Sequence, residues 1–153
     1  MEKSQQFFFE TTFVNYFFLL CLSVYLCVPK QKKMNKFIYL STCDTCKRIM
    51  KEANISNENF ELQDIKKTII SSTDLDKAFE VTKSYEALFN KRARKYAQQG
   101  LKDKNLSDLD FRALILEEYT FLKRPVAFVG QDVFIGNSKK EVAKLIEVLE
   151  NEK

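Results

Sequence analysis

Phe37-Ile38-Tyr39-Leu40-Ser41-Thr42-Cys43-Asp44-Thr45-Cys46-Lys47-Arg48-Ile49-Met50 is the stretch on which the fold turns. Residues 37–40 form a short apolar run with β-branched and aromatic members, which reads as a buried strand. Ser41 and Thr42 follow as turn and cap residues. Cys46, Ile49, Met50 and Ala53 then recur at i, i+3, i+4 and i+7, one face of an amphipathic helix. The CxxC of Cys43 and Cys46 therefore falls at a strand-to-helix turn. There the unpaired N–H groups of the first helical turn and the helix dipole favour a thiolate at Cys43, and Lys47 and Arg48 add positive potential. The thiolate is the form that attacks disulfides and oxidised substrates. Cys46 opens the inward stripe, the place of a shielded resolving partner. Three residues apart at a helix start, the two sulfurs can reach bonding distance. Asp44 works mildly against a depressed Cys43 pKa, yet its carboxylate also suits a helix N-terminus. Two buried structural cysteines would give the same spacing. Half a zinc site would too, although the chain has no histidine and its other cysteines, Cys21 and Cys27, lie in an apolar stretch.

The whole chain bounds the answer. Its 153 residues suffice for one core without staples, and 45% hydrophobic with 30% charged residues reads as globular. The net charge of +4 is mild for a nucleic-acid binder. The absence of histidine removes Ser-His-Asp and Cys-His chemistry. With only three glycines there is no Gly-rich phosphate loop, and no metal, flavin or nucleotide is called for. Residues 1–33 read as a separate hydrophobic extension. Phe13 to Val28 is 16 residues with Asn15 and Ser23 as its clearly polar members. That is short of the roughly 20 a spanning helix needs, and it lacks the basic start and small-residue site of a secretory signal. Two readings stand: a membrane-associated segment over 13–28, or a biological start at Met34. Residues 34–153 are expected to be one cytoplasmic domain.

Within that domain Phe60 and Leu62 alternate with Glu61 and Gln63, predicting a strand that ends near Asp64 or Ile65. Thr73-Asp74-Leu75-Asp76 resembles a capping box, with Leu75, Ala78, Phe79 and Thr82 on one helical face. Tyr85–Gly100 reads as a further helical region. Ser107-Asp108-Leu109-Asp110 opens a helix to about Tyr119, expected to bury Leu109, Ala113, Leu114 and Ile115. Val126–Val129 and Val133–Ile135 flank a short turn as a hairpin. Ser138 caps a last helix with Val142, Leu145, Ile146 and Leu149 inward. The order β-α-β, helical stretch, β-β-α fits an α/β thioredoxin-like layout with a mixed four-stranded sheet.

Two further segments carry chemistry. In Phe121-Leu122-Lys123-Arg124-Pro125, an Arg stands before a Pro that precedes a strand. X–Pro is the common place for a cis bond, and a cis proline beside the CxxC would shape the groove. Arg124 would then aim a planar donor fork at an oxyanion or carboxylate; a surface Arg before an edge Pro is the plainer reading. Asn90-Lys91-Arg92-Ala93-Arg94-Lys95 is a solvated helix face or an anion-recruiting wall.

The strand followed by Ser41-Thr42-Cys43-Asp44-Thr45-Cys46-Lys47, the Leu88–Arg92 segment, Leu122–Pro125 and the ending Val133–Asn137 resemble the arsenate reductase (ArsC)/Spx family, in its order and spacing. The resemblance implies a thioredoxin-like fold with a helical insertion over about 74–119, and Cys43 as nucleophile. In glutaredoxin-dependent arsenate reductases that cysteine attacks arsenate, and glutathione then glutaredoxin complete the reduction. Of the three arginines that hold the oxyanion there, Arg124 matches one. Asn90 and Asn137 stand at the other two positions, with Lys91, Arg92 or Lys139 as substitutes. The substrate-binding set is thus Arg124, Pro125, Asn90, Lys91, Arg92 and Asn137. Cys46 fits an intramolecular disulfide, so thioredoxin is also an expected donor. Other branches imply a glutathione-dependent thiol reductase, or an Spx-like redox regulator that binds RNA polymerase. A monomer is expected.

Overall fold

The computed structural model describes residues 35–151. The readings of 1–33 as an extension and of Met34 as a start lie outside these residues. The elements are β1 (Asn35–Tyr39), α1 (Asp44–Glu52), β2 (Phe60–Asp64), α2 (Ser72–Thr82), α3 (Tyr85–Leu88), α4 (Arg94–Gln98), α5 (Asp108–Glu117), β3 (Val126–Val129), β4 (Asp132–Ile135) and α6 (Lys139–Asn151). Single 3-10 turns at Leu101–Asp103 and Tyr119–Phe121 precede and follow α5.

The sheet order is β2-β1-β3-β4. β1 pairs parallel with β2, Phe37 opposite Leu62, and antiparallel with β3, Phe37 opposite Ala127. β3 and β4 form the expected hairpin, with Val129 opposite Asp132. Gly130 begins its two-residue turn at φ 57, a left-handed value that glycine adopts without a Cβ penalty. The result is the mixed four-stranded α/β architecture expected from the sequence.

β1 is one of the two interior strands, and its composition suits that place. Successive side chains point to opposite faces, so Phe37 and Ile38, both fully buried, feed two separate cores. On one face Phe37 packs with Ile49, Ala53, Phe60, Ala127, Phe134, Val142 and Leu145, which seats α1 and α6. On the other, Ile38 packs with Ile65, Leu75, Leu88, Phe89, Ile115, Phe121 and Val126, which seats the helices between β2 and β3. Each fully buried side chain of this size contributes about 1.5–3 kcal/mol.

Three local expectations change. The cap of α2 is Ser71, whose Oγ accepts from the Asp74 N–H at 3.1 Å, rather than Thr73. The helical region over 85–100 is split. Phe89 leaves α3 to pair with Leu122 as a single antiparallel bridge, and the helix resumes only at Arg94. α5 has its capping box at Ser107 and Asp110, but it ends at Glu117 and buries Phe111 and Ile115. Leu109 is 73% exposed and Ala113 is exposed, because the first turn of α5 lies at the surface and its inward stripe begins at Phe111. The last helix, α6, keeps its expected inward stripe: Val142 and Leu145 are buried, and the half-buried Ile146 and Leu149 pack against the same core.

Candidate active site

Local sequence positions Cys43. β1 ends at Tyr39, and the Cys43 N–H closes a turn on the Leu40 carbonyl at 2.9 Å. Cys43 keeps an extended backbone (φ −97, ψ 110) as the residue before α1, and Lys47 N–H donates to its carbonyl at 3.2 Å. Cys43 is half-buried and Cys46 is buried, both as free thiols.

The two thiols are tuned in opposite directions. Partial burial pushes Cys43 up. The Cys46 N–H and thiol, the Thr45 N–H and the Arg124 charge favour its thiolate and leave it below the ordinary thiol value. Its sulfur closes no regular capping bond, so the first-turn N–H groups act on it as dipoles. Burial pushes Cys46 up to about 11, with the neighbouring Cys43 sulfur adding to the rise.

Cys43 opens on a cavity of about 750 Å³. Of the residues read from sequence, Cys43, Asn90, Lys91, Arg92, Arg124 and Asn137 line it together. Cys46 and Pro125 are not on its wall, and both are buried. The Arg124–Pro125 peptide bond is cis. The Pro125 carbonyl accepts from the Gly136 N–H at 2.8 Å, which brings the end of β4 and Asn137 to the same rim.

A three-bond clamp joins the cavity walls. The Asn90 N–H donates to the Phe121 carbonyl at 2.6 Å, the Asn90 side-chain amide to the Thr120 carbonyl at 3.1 Å, and the Lys123 N–H to the Leu88 carbonyl at 2.8 Å. Asn90 Oδ1 also accepts from the Arg92 N–H at 3.2 Å. The amide of Asn90 is thus engaged in holding the wall. Lys91 pairs with Glu86, a second wall residue. The Arg92 guanidinium stays exposed, with no side-chain partner among the described residues. Arg124 Nη1 is buried with no hydrogen-bond partner. A buried donor left open costs about 1–3 kcal/mol, so an oxyanion or carboxylate bound here gains what the protein leaves unsatisfied.

Ser84, Glu86, Ala87, Phe89, Lys123 and Gly136 complete the wall and were not singled out in the sequence as site residues. Lys123 stood in the Lys-Arg-Pro segment and could have been read. Nothing local marks Ser84 and Glu86, which the Asp108 carboxylate holds in place by accepting from Ser84 Oγ at 3.2 Å and the Glu86 N–H at 3.1 Å. Among the described residues, no helix is long and apolar enough to cross a membrane.

Solved structures share this architecture. An arsenate reductase from Vibrio cholerae is 18% identical with a TM-score of 0.59, covering 72% of this chain and 96% of that one. An arsenate reductase (ArsC) related protein from Brucella melitensis is 19% identical, TM-score 0.53, covering 74% and 94%. The Staphylococcus aureus COL protein SACOL0876 is 26% identical, TM-score 0.58, covering 72% and 97%. No curated protein matches the chain. The ArsC family model matches residues 39–145, from the end of β1 to the buried Leu145 of α6, and the chain therefore belongs to the ArsC family.

Proposed function

We propose that the chain is a thiol-dependent oxidoreductase in which Cys43 is the nucleophile, Cys46 the resolving thiol and Arg124 the anion anchor. The observation that carries this reading is the opposite tuning of two thiols three residues apart, with only the low one on the cavity.

With a disulfide R–S–S–R′, the Cys43 thiolate attacks one sulfur and expels R′–S⁻. Cys46 then loses its proton to solvent and attacks the Cys43 sulfur, releasing R–S⁻ and leaving the Cys43–Cys46 disulfide. With arsenate, Cys43 displaces one oxygen, which leaves as water. A second thiol attacks the Cys43 sulfur, the electron pair passes to arsenic, and arsenite departs. Arg124 offers the unpartnered donor that an oxyanion or a carboxylate-bearing disulfide of the glutathione type would use. Lys91, Arg92, Asn90, Asn137 and Pro125 shape and charge the rest of the site. Glutathione, glutaredoxin or thioredoxin returns the two electrons.

The test assays the full chain with arsenate, glutathione and glutaredoxin, and separately with a neutral disulfide and a dithiol. Cys43→Ser is expected to abolish both reactions. Arg124→Gln removes a charge-assisted donor worth about 1.5–3 kcal/mol, so KM for arsenate should rise roughly 10- to 150-fold. Its rate with the neutral disulfide should change little. An unchanged arsenate KM in Arg124→Gln would remove Arg124 from its role. No turnover with either substrate, together with co-purification of RNA polymerase, would replace the enzyme with a redox regulator.

A further inference from the structure

Beside the Cys43 cavity lies a second depression of about 680 Å³, and the two share Ala87 and Lys123. Lys123 Nζ donates to the Ala87 carbonyl at 2.7 Å, and this bond marks the boundary between the spaces. All four residues of β4 line the second depression. β4 is also the outermost strand in the order β2-β1-β3-β4, so its far edge has no strand neighbour among the described residues. Gly136 and Asn137, which follow it directly, line the catalytic cavity. One strand thus leads from the nucleophile into a groove. An open strand edge supplies backbone donors and acceptors to an added extended chain.

Charge and polarity differ along this path. The cavity end carries Arg92 and Arg124. In the groove, Glu141 is paired with Lys144 at 3.2 Å, while the exposed carboxylates of Asp132 and Glu147 have no partner among the described residues. Val81, 52% exposed, adds an apolar wall. Either space alone is far larger than a tetrahedral oxyanion and already of the size that holds a drug-like ligand.

We propose that this groove receives an extended, cysteine-bearing polypeptide with a basic side chain about four residues from its cysteine, so that polypeptide disulfides are substrates of this site. The inference rests on the reading of Cys43 as a redox nucleophile. From Gly136 to Asp132 is four residues, about 13 Å of strand, which sets the spacing. The cysteine enters the cavity as a mixed disulfide, Cys43 forms a bond to its sulfur and expels the other thiolate, and Cys46 then frees the peptide as in the reaction above.

Short peptides with one cysteine, activated as the mixed disulfide with thionitrobenzoate, test this on the reduced full chain. With Cys21 and Cys27 replaced by Ser, the part of thionitrobenzoate release that is lost in Cys43→Ser reports attack by Cys43. Two series place Arg or Glu four residues before, or four after, the cysteine. In one series the Arg peptide should react about fivefold faster than its Glu counterpart, the size of an exposed charge pair. The preference should vanish near 1 M salt, where the screening length is about 3 Å. It should also vanish in the Asp132→Asn/Glu147→Gln variant, while reaction with free dithiobis-nitrobenzoate stays unchanged there. Failure of the small disulfide to react removes the redox reading itself. Reaction of the small disulfide with equal rates for Arg and Glu peptides, or a preference that survives the double variant, overturns the groove. Self-association in sedimentation that the double variant abolishes would assign the groove to a second copy of this chain, and would overturn the proposal as well.

Discussion

Two variants, each also carrying Cys21→Ser and Cys27→Ser, expose the asymmetry of the CxxC directly. Cys46→Ser leaves Cys43 as the site's thiol, and Cys43→Ser leaves Cys46. At about pH 7.5, a thiol held at about 11 is thiolate in only about one molecule in 3,000. An ordinary thiol at about 8.5 is thiolate in about one in eleven, so Cys46 is depleted about 300-fold against that reference. A more basic thiolate is intrinsically the better nucleophile. With a Brønsted slope of about 0.45 over the roughly 2.5 units between an ordinary thiol and Cys46, this returns about 13-fold. Population wins, and Cys46 is about 20-fold poorer than an ordinary thiol before access is counted, whereas the surroundings of Cys43 shift it the other way. Access acts in the same direction, because Cys46 is 0% exposed while Cys43 lines the cavity. Replacing Cys43 also removes a contribution that raises Cys46, but burial is the larger cause and remains.

The assay is the rate of thionitrobenzoate release from an excess of the aromatic disulfide, followed from about pH 5 to 10. Cys46→Ser should titrate at lower pH than Cys43→Ser and then level off. Cys43→Ser should be at least tenfold slower near neutrality and still be rising at the alkaline end. Equal rates near neutrality, or a lower midpoint for Cys46, would refute the assignment of nucleophile and resolving thiol.

Two further predictions concern the frame. Arg112 grips Asp76 with two bonds of 2.8 and 2.9 Å, and Tyr85 OH donates to the same carboxylate at 2.7 Å, so Asp76 is held down at about 2. A depressed carboxylate stabilises the fold above its unfolded pKa of about 3.9 and loses that contribution as pH falls toward 2. The carboxylate is 46% exposed, so the gain is that of a screened pair, about 0.5–1 kcal/mol. Urea unfolding of Asp76→Asn against the parent should show this difference at pH 6 and its loss by about pH 2; a difference that persists there would contradict the linkage. Ile49 is fully buried in the core that seats α1, so Ile49→Ala should lower unfolding free energy by about 2–5 kcal/mol. A loss under about 1 kcal/mol would mean that this core does not fix the helix carrying Cys46.

The elements legible in the sequence were those set by neighbours in the chain. The strand-to-helix turn at Cys43, the hairpin around Gly130 and the box at Ser107 each carry their signal within a few residues. The start of α2 shows where this stops. Ser71…Asp74 and Thr73…Asp76 are overlapping capping patterns of the same kind, and local chemistry does not choose between them. Distant partners do: Lys36 on β1 draws Asp74 inward at 2.8 Å, and Arg112 on α5 takes Asp76. Ser71 is then the cap. The break after α3 has the same origin, since Phe89 leaves the helix for a bridge to Leu122.

The candidate site divides along that line too. Cys43 and Arg124 are marked by local motifs, but the wall between them is made by hydrogen bonds that cross about thirty positions of chain, from Asn90 to Thr120 and Phe121. That clamp changes the reading of the cationic run. Four cations in 91–95 suggest a strongly positive wall, yet Lys91 is paired with Glu86 and Lys95 with Glu118, and neither Arg94 nor Lys95 lines the cavity. Lys123 spends a donor on the Ala87 carbonyl. Arg92 at the rim and Arg124 beside the sulfur are the guanidinium groups left to act on a ligand. An anion entering here therefore meets the exposed charge of Arg92, with Lys123 tied to a neutral carbonyl beside it, and one buried open donor. The exposed charge steers and is screened by salt, whereas the buried donor discriminates. Substitution of Arg92 should accordingly weaken anion use in a salt-dependent way, and substitution of Arg124 in a way that salt leaves largely unchanged.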